Sequence, residues 1–207
     1  MGIDFTQLDA HQTEIRQVVM EMARADEGKL FPLDLLAWAA ANRAAALNKG
    51  FRALIESRNY TSAGALVRLQ LDTALRFMAA WHVDDPHDFA RRVIAGEHVR
   101  RIADRTGKRL TDSYLCTLAA EKAPWIPKVY EETSGFVHFS DKHLFAALES
   151  GSVDDRLALK LSSSDADAVV TDELRQEAID GFCAAFDFLL DHLRGWTASK
   201  AARAEKA

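Results

Sequence analysis

Apolar residues recur at three- and four-residue intervals along most of the chain, which places them on one face of an α-helix. Phe5, Leu8, Ile15, Val18, Val19 and Met22 mark a first helix from Asp4 to about Ala25, with Asp4 suited to cap its free N–H groups. Leu36, Ala40, Leu47, Phe51, Leu54 and Ile55 mark a second, from about Leu33 to Arg58. Between Ser62 and about His82 the pattern changes. Leu66, Val67, Leu69, Leu71, Leu75, Phe77 and Met78 surround most of the helix, so it is predicted to be central and buried. Shorter helices are predicted over Pro86 to Gly96 and over Glu97 to Thr106, the latter closed by Gly107. Another starts at Thr111 or Asp112 and must stop at Pro124, and Pro127 suits the first turn of the next, which runs to His138. Asp141 to Ser150 continues that helix or forms a short separate one. A final helix from Asp172 to Trp196 carries Ile179, Phe182, Phe186, Leu189, Leu190 and Leu193 as its apolar stripe.

One stretch departs from this period. Arg156 to Leu161 alternates, with Leu157, Leu159 and Leu161 on one side, and a polar run over Ser162 to Asp167 separates it from Ala168-Val169-Val170. This predicts a small β-hairpin or an irregular flap near residues 156–170. The fold class is therefore all-α: a multi-helix bundle of about seven to nine helices in one domain over residues 1–207, with its core over 4–196. The polar tail, 197–207, is expected to be mobile.

Composition agrees with that picture. The 207 residues are 48% hydrophobic and 28% charged, which excludes disordered and fibrous classes, and only 4 Pro and 10 Gly interrupt an Ala-rich chain. Cys116 and Cys183 lie in apolar runs without CxxC spacing and read as buried thiols. The N-terminus lacks the pattern of a signal peptide, and no stretch of about 18 apolar residues could span a bilayer. A cytoplasmic protein without membrane association is expected. The net charge is −5. Yet residues 87–109 hold seven basic side chains against three acids, a local +4 that leaves −9 on the remainder. An anionic partner is thus restricted in place rather than excluded.

The motifs of standard α/β chemistry are absent: no GxGxxG, no phosphate loop, no HExxH and no GxSxG elbow. No metal site and no cofactor are expected. His82, Asp84, Asp85, His87 and Asp88 are metal-ligand types, but they straddle a Pro loop with a spacing that matches no standard site. Two ladders remain. Tyr130, Ser134 and His138 are successive i, i+4 neighbours, followed by His143, and line a phenol, a hydroxyl and an imidazole along one stripe. Gly135 inside that helix suggests the close approach of a backbone or a ligand. On the central helix Arg68, Asp72 and Arg76 repeat the spacing, where charges are expensive unless paired. If the ladders face each other, His138 serves as acid/base or phosphate contact with Ser134, while Arg68 and Arg76 grip an anion. Otherwise the same residues form a hydrogen-bonded seam in a purely structural or partner-binding bundle.

The order Arg68-xxx-Asp72, then Thr111-Asp112-Ser113-Tyr114-Leu115, then Tyr130-xxx-Ser134-xxx-His138-x-Ser140 resembles a group of uncharacterised bacterial helical proteins that is distantly similar to the HEPN superfamily. The resemblance covers roughly residues 35–150. It implies a helical bundle, a homodimer and RNA as a partner, with metal-independent ribonuclease activity as the associated chemistry. The catalytic pattern of that superfamily places an Arg ahead of the His, at positions that here hold Glu131, Glu132 and Thr133. Arg68 or Arg76 would have to supply the guanidinium from another helix.

Overall fold

The computed structural model describes residues 3–138, 140, 148–153, 156–161 and 170–204, and its architecture is an all-α bundle. Seven α-helices lie among the described residues: α1 (Thr6–Arg24), α2 (Pro32–Glu56), α3 (Tyr60–Met78), α4 (Pro86–Ile94), α5 (Asp112–Ala120), α6 (Ile126–Val137) and α7 (Asp172–Ala204). None is long and apolar enough to cross a membrane.

The helix starts follow local chemistry. Asn59 accepts from the Ser62 N–H, Asp85 from those of His87 and Asp88 with Pro86 in the first turn, and Thr111 from that of Tyr114. Each satisfies donors that a helix start leaves without partners. Helix α3 is central, as its all-round apolar pattern predicts, and packs against α7, α2, α6 and α5. On α7, a Cβ at Gly181 would lie 3.8 Å from Val67 of α3. Nearby, Phe51 of α2 stacks on Phe182 at 4.3 Å between centroids, and Phe182 meets Phe186.

Three segments differ from the sequence expectation. The helix over Glu97 to Thr106 is replaced by a short 3₁₀ turn, Val99–Arg101, and by a bridge between Ala103 and Arg109. Asp104 explains the change. Its Oδ1 accepts from the Thr106 N–H and hydroxyl and from the Lys108 N–H, its Oδ2 from the Tyr114 hydroxyl, so this carboxylate offers the backbone a loop in place of a helical turn. The last helix does not stop at Trp196 but runs to Ala204, and Lys200 within the expected tail is fully buried. Finally, the backbone of β2 (Arg156–Leu161) pairs antiparallel with β1 (Leu148–Val153), Leu148 opposite Leu161 and Val153 opposite Arg156. The alternating run is thus paired with the segment before it. Residues 162–169, and most of the 141–150 stretch, lie outside the described residues.

Candidate functional site

Arg68 is the centre of a polar seam between α3 and α6. It is 9% exposed, donates from Nε to Asp72 Oδ1 at 2.9 Å, and donates from Nη1 to Ser134 Oγ at 2.5 Å and to the Tyr130 carbonyl at 3.3 Å. Its guanidinium carbon stands 3.4 Å from the centroid of the Tyr130 ring, a cation–π contact in a desolvated setting. Ser134 Oγ also donates to the Tyr130 carbonyl at 2.6 Å. Four of the sequence-predicted residues, Arg68, Asp72, Tyr130 and Ser134, therefore meet.

The chemistry of this seam is that of a satisfied network. The Ser134 hydroxyl spends its proton on a carbonyl and receives one from Arg68, and no base reaches it among the described residues. Burial pushes the Tyr130 phenol up, against the opposing charge of Arg68. Burial likewise pushes the neighbouring Cys116 thiol up to about 11, with Arg68 again opposing, so it stays protonated at neutral pH. His138 stands apart. Helix α6 ends at Val137, His138 is extended (φ −111°, ψ 144°), and its side chain is exposed. The i, i+4 relation needs helical backbone, so the stripe stops at Ser134. His143 lies outside the described residues.

Arg76 faces elsewhere. Half-exposed, it donates from Nη2 to both oxygens of Asp112 at 3.3 and 3.4 Å, and it lines a cleft of about 580 Å³ formed by α2, α3, α4 and residues 97–100, with Asp112 at its edge. Leu36, Ala39, Ala40, Phe77, Val93 and Val99 supply its apolar lining. Arg43, Asp72, Thr73, Arg76, Arg100 and Asp112, with Glu97 and His98, supply the polar lining. Asp72 belongs to both places: it holds Arg68 in the seam and borders the cleft.

Charge in the cleft is unevenly settled. Each acid has its own arginine: Asp72 pairs with Arg68, Asp112 with Arg76, and Glu97 with Arg92 through two bonds of 2.8 and 2.9 Å. Arg43 donates its Nε to the Thr73 hydroxyl at 2.9 Å, and its terminal nitrogens meet no carboxylate among the described residues. Arg100 has no acidic partner among the described residues and is exposed. Two guanidinium charges thus remain without a carboxylate partner among the described residues. Most of the basic 87–109 segment is used internally by contrast. Arg91 lies near Asp85 and Asp88, Arg92 pairs with Glu97, Arg105 donates to the carbonyls of Trp81, His82 and Val83, and Lys108 sits over the Tyr114 ring.

The His82-to-Asp88 group disperses. His87 stacks on Phe31 and meets Trp196 edge-on, whereas Asp85 caps α4. Burial pushes His82 and His87 down, and Arg105 adds to the effect on His82. Arg43 and Arg100 were not singled out as site residues by the sequence reading. The available signal was slight: Arg43 is the lone charge between Ala37 and Leu47, and Arg100 is one of seven basic residues in its segment. No protein-family model, curated protein or solved structure matches the chain.

Proposed function

We propose that this helical bundle binds a small anionic ligand in the cleft bordered by α2, α3 and α4, with Arg43 and Arg100 as the charged contacts and Arg76 oriented beside them by Asp112. The observation that carries this reading is the pair of guanidinium groups without carboxylate partners among the described residues, in a concave site whose three acids are each already paired with an arginine. An arginine fork is suited to bidentate capture of carboxylate or phosphate, and the cleft volume lies in the range of small-molecule sites. The Arg68–Ser134–Tyr130 seam supports the cleft from behind: it holds Asp72, and hence one edge of the site, in a single geometry.

RNA, the partner implied by the HEPN-like resemblance, is the competing anion. Arg101 and Arg109 are exposed and form no salt bridge among the described residues, which favours a surface contact. Calorimetric titration separates these readings. Phosphate, octanoate and a mixed RNA pool are added to the wild type, to the double variant Arg43→Gln/Arg100→Gln and to Arg101→Gln/Arg109→Gln. Binding of a small anion that the cleft variant weakens about 10-fold or more supports the proposal. Saturable binding of RNA alone, lost in the surface variant, overturns it in favour of the nucleic-acid reading. Absence of any binding leaves a purely structural or partner-binding bundle.

A further inference from the structure

We infer that the ligand of the cleft is an amphipathic organic anion, an acidic head carried on an apolar body, rather than an inorganic or fully polar ion. This rests on the anion-binding reading above and deepens it. An inorganic anion needs convergent donors on all sides, whereas here apolar side chains share the lining with the donors. Arg43 and Arg100 line the cleft together with Thr73, whose hydroxyl is already committed to the Leu69 carbonyl and to Arg43. Leu36, Phe77, Val93 and Val99 of the same lining offer no polar atom beyond their backbone. Water against such side chains is readily displaced by hydrocarbon, and each methylene removed from water adds to affinity.

A second observation points the same way. Exposed large hydrophobic side chains are scarce among the described residues, yet Leu35, Trp38 and Ile94 are three of them, about half exposed each. They directly flank Leu36, Ala39 and Val93 of the lining in sequence. Apolar surface therefore extends along α2 and α4 beside the cleft, as expected where the apolar portion of a ligand enters. The acidic head falls to Arg43 and Arg100. Carboxylate and phosphate monoester share the recognising chemistry, and the cleft residues set the requirement for charge and for an apolar tail together.

The test titrates acetate, inorganic phosphate, octanoate, octyl phosphate and octanol into the full chain. It compares the wild type with Arg43→Gln/Arg100→Gln and with Ala39→Phe, which adds bulk to the cleft lining from an exposed helix position. Far-ultraviolet circular dichroism and thermal melts verify that each variant is folded, with Arg100→Gln alone as a milder charge variant. The expected result is octanoate or octyl phosphate about 100-fold tighter than acetate or phosphate. The arginine variant should weaken the octyl anions about 10-fold without affecting octanol, and Ala39→Phe should weaken all three octyl ligands. A preference between octanoate and octyl phosphate identifies the head. Acetate or phosphate binding as tightly as the octyl anions overturns this inference and leaves the anion-binding reading intact. Octanol equal to octanoate in the wild type overturns it as well, since the arginines then contribute nothing. No binding by any probe overturns both.

Discussion

Gly64 and Phe136 meet where α3 packs against α6, and the contact leaves no room for a side chain at residue 64. A Cβ there would lie 2.7 Å from Phe136 Cγ and 2.8 Å from Cδ2. Those atoms are near the root of the ring, so relief requires the whole side chain to move. Gly64→Ala should therefore destabilise the fold by about 1–2 kcal/mol, even though Ala is the better helix former by about 1 kcal/mol. Urea denaturation of Gly64→Ala, Phe136→Ala and the double variant checks this. The cost of Gly64→Ala must shrink or reverse once the ring is gone, and equal costs in both backgrounds would place the strain elsewhere. The close approach at Gly64 carries no signal in the sequence, because it depends on the neighbouring helix. Asp104 illustrates the opposite case, a local effect with a pH signature. Burial pushes its carboxyl up, but bonds from Thr106, Tyr114 and the Lys108 and Thr106 N–H groups outweigh that and hold it down at about 2, against an ordinary 3.8. A depressed carboxylate stabilises the fold above its unfolded pKa, and the stabilisation is lost as pH falls from about 4 towards about 2. The stability difference between wild type and Asp104→Asn should narrow across that window. A constant difference from neutral pH downward would show that the loop does not depend on the ionised carboxylate.

At the scale of elements, the ends of helices were more legible than their partners. Pro86 and Thr111 each announce a helix start in the sequence, and each performs that role. The end of α7 carries no such signal. Lys200 looks like a solvated tail residue because its partner is 166 positions away: its Nζ donates to Asp34 Oδ2 and to the Met22 carbonyl, both at 2.9 Å. Asp34 also accepts from the Trp196 indole at 2.7 Å and from the Phe31 N–H, so one carboxylate ties the last turns of α7 to the start of α2 and, through Lys200, to α1. Both charged side chains are almost wholly removed from solvent. Lys200→Met leaves a buried carboxylate without its cation and should cost about 3–5 kcal/mol, whereas Lys200→Met with Asp34→Asn should recover part of that loss. Chemical denaturation of the three variants measures it, and a Lys200→Met protein as stable as the wild type would show that the tail is not part of the folded core. Helix α6 shows the same limit of local reading. The i, i+4 stripe from Tyr130 to His138 assumes a helix that in fact ends at Val137, and the Asp104 loop interrupts a helix that periodicity alone allowed over 97–106.

For the whole molecule, histidines add a second pH window above that of Asp104. Burial pushes His82, His87 and His192 down from an ordinary 6.5, and the charge of Lys122 presses further on His192 against its bond to the Phe188 carbonyl. These groups are held neutral in the fold and take up protons more readily when unfolded. The stability they protect is present above about 6.5 and declines as pH falls through their lowered values. Melting temperature should therefore drop between about pH 7.5 and about pH 5.5. It should drop less in His192→Phe, which keeps an aromatic ring beside Trp81. An unchanged melting temperature in the wild type over that range would exclude the effect. The −5 total also acquires its meaning only at this scale. The basic 87–109 segment spends most of its charge on internal partners, while Arg43, outside that segment, joins Arg100 at the cleft. By itself the sequence determined the helical class, the central place of α3 and most helix starts, because apolar periodicity and capping act within a few residues. It also picked out Arg68, Asp72, Tyr130 and Ser134, since charges on an apolar helix require partners. The tertiary structure alone decided that these four close on one another and that Arg43 and Arg100 border the cleft. Whether a charge is spent or left over depends on which distant carboxylate folding brings within reach.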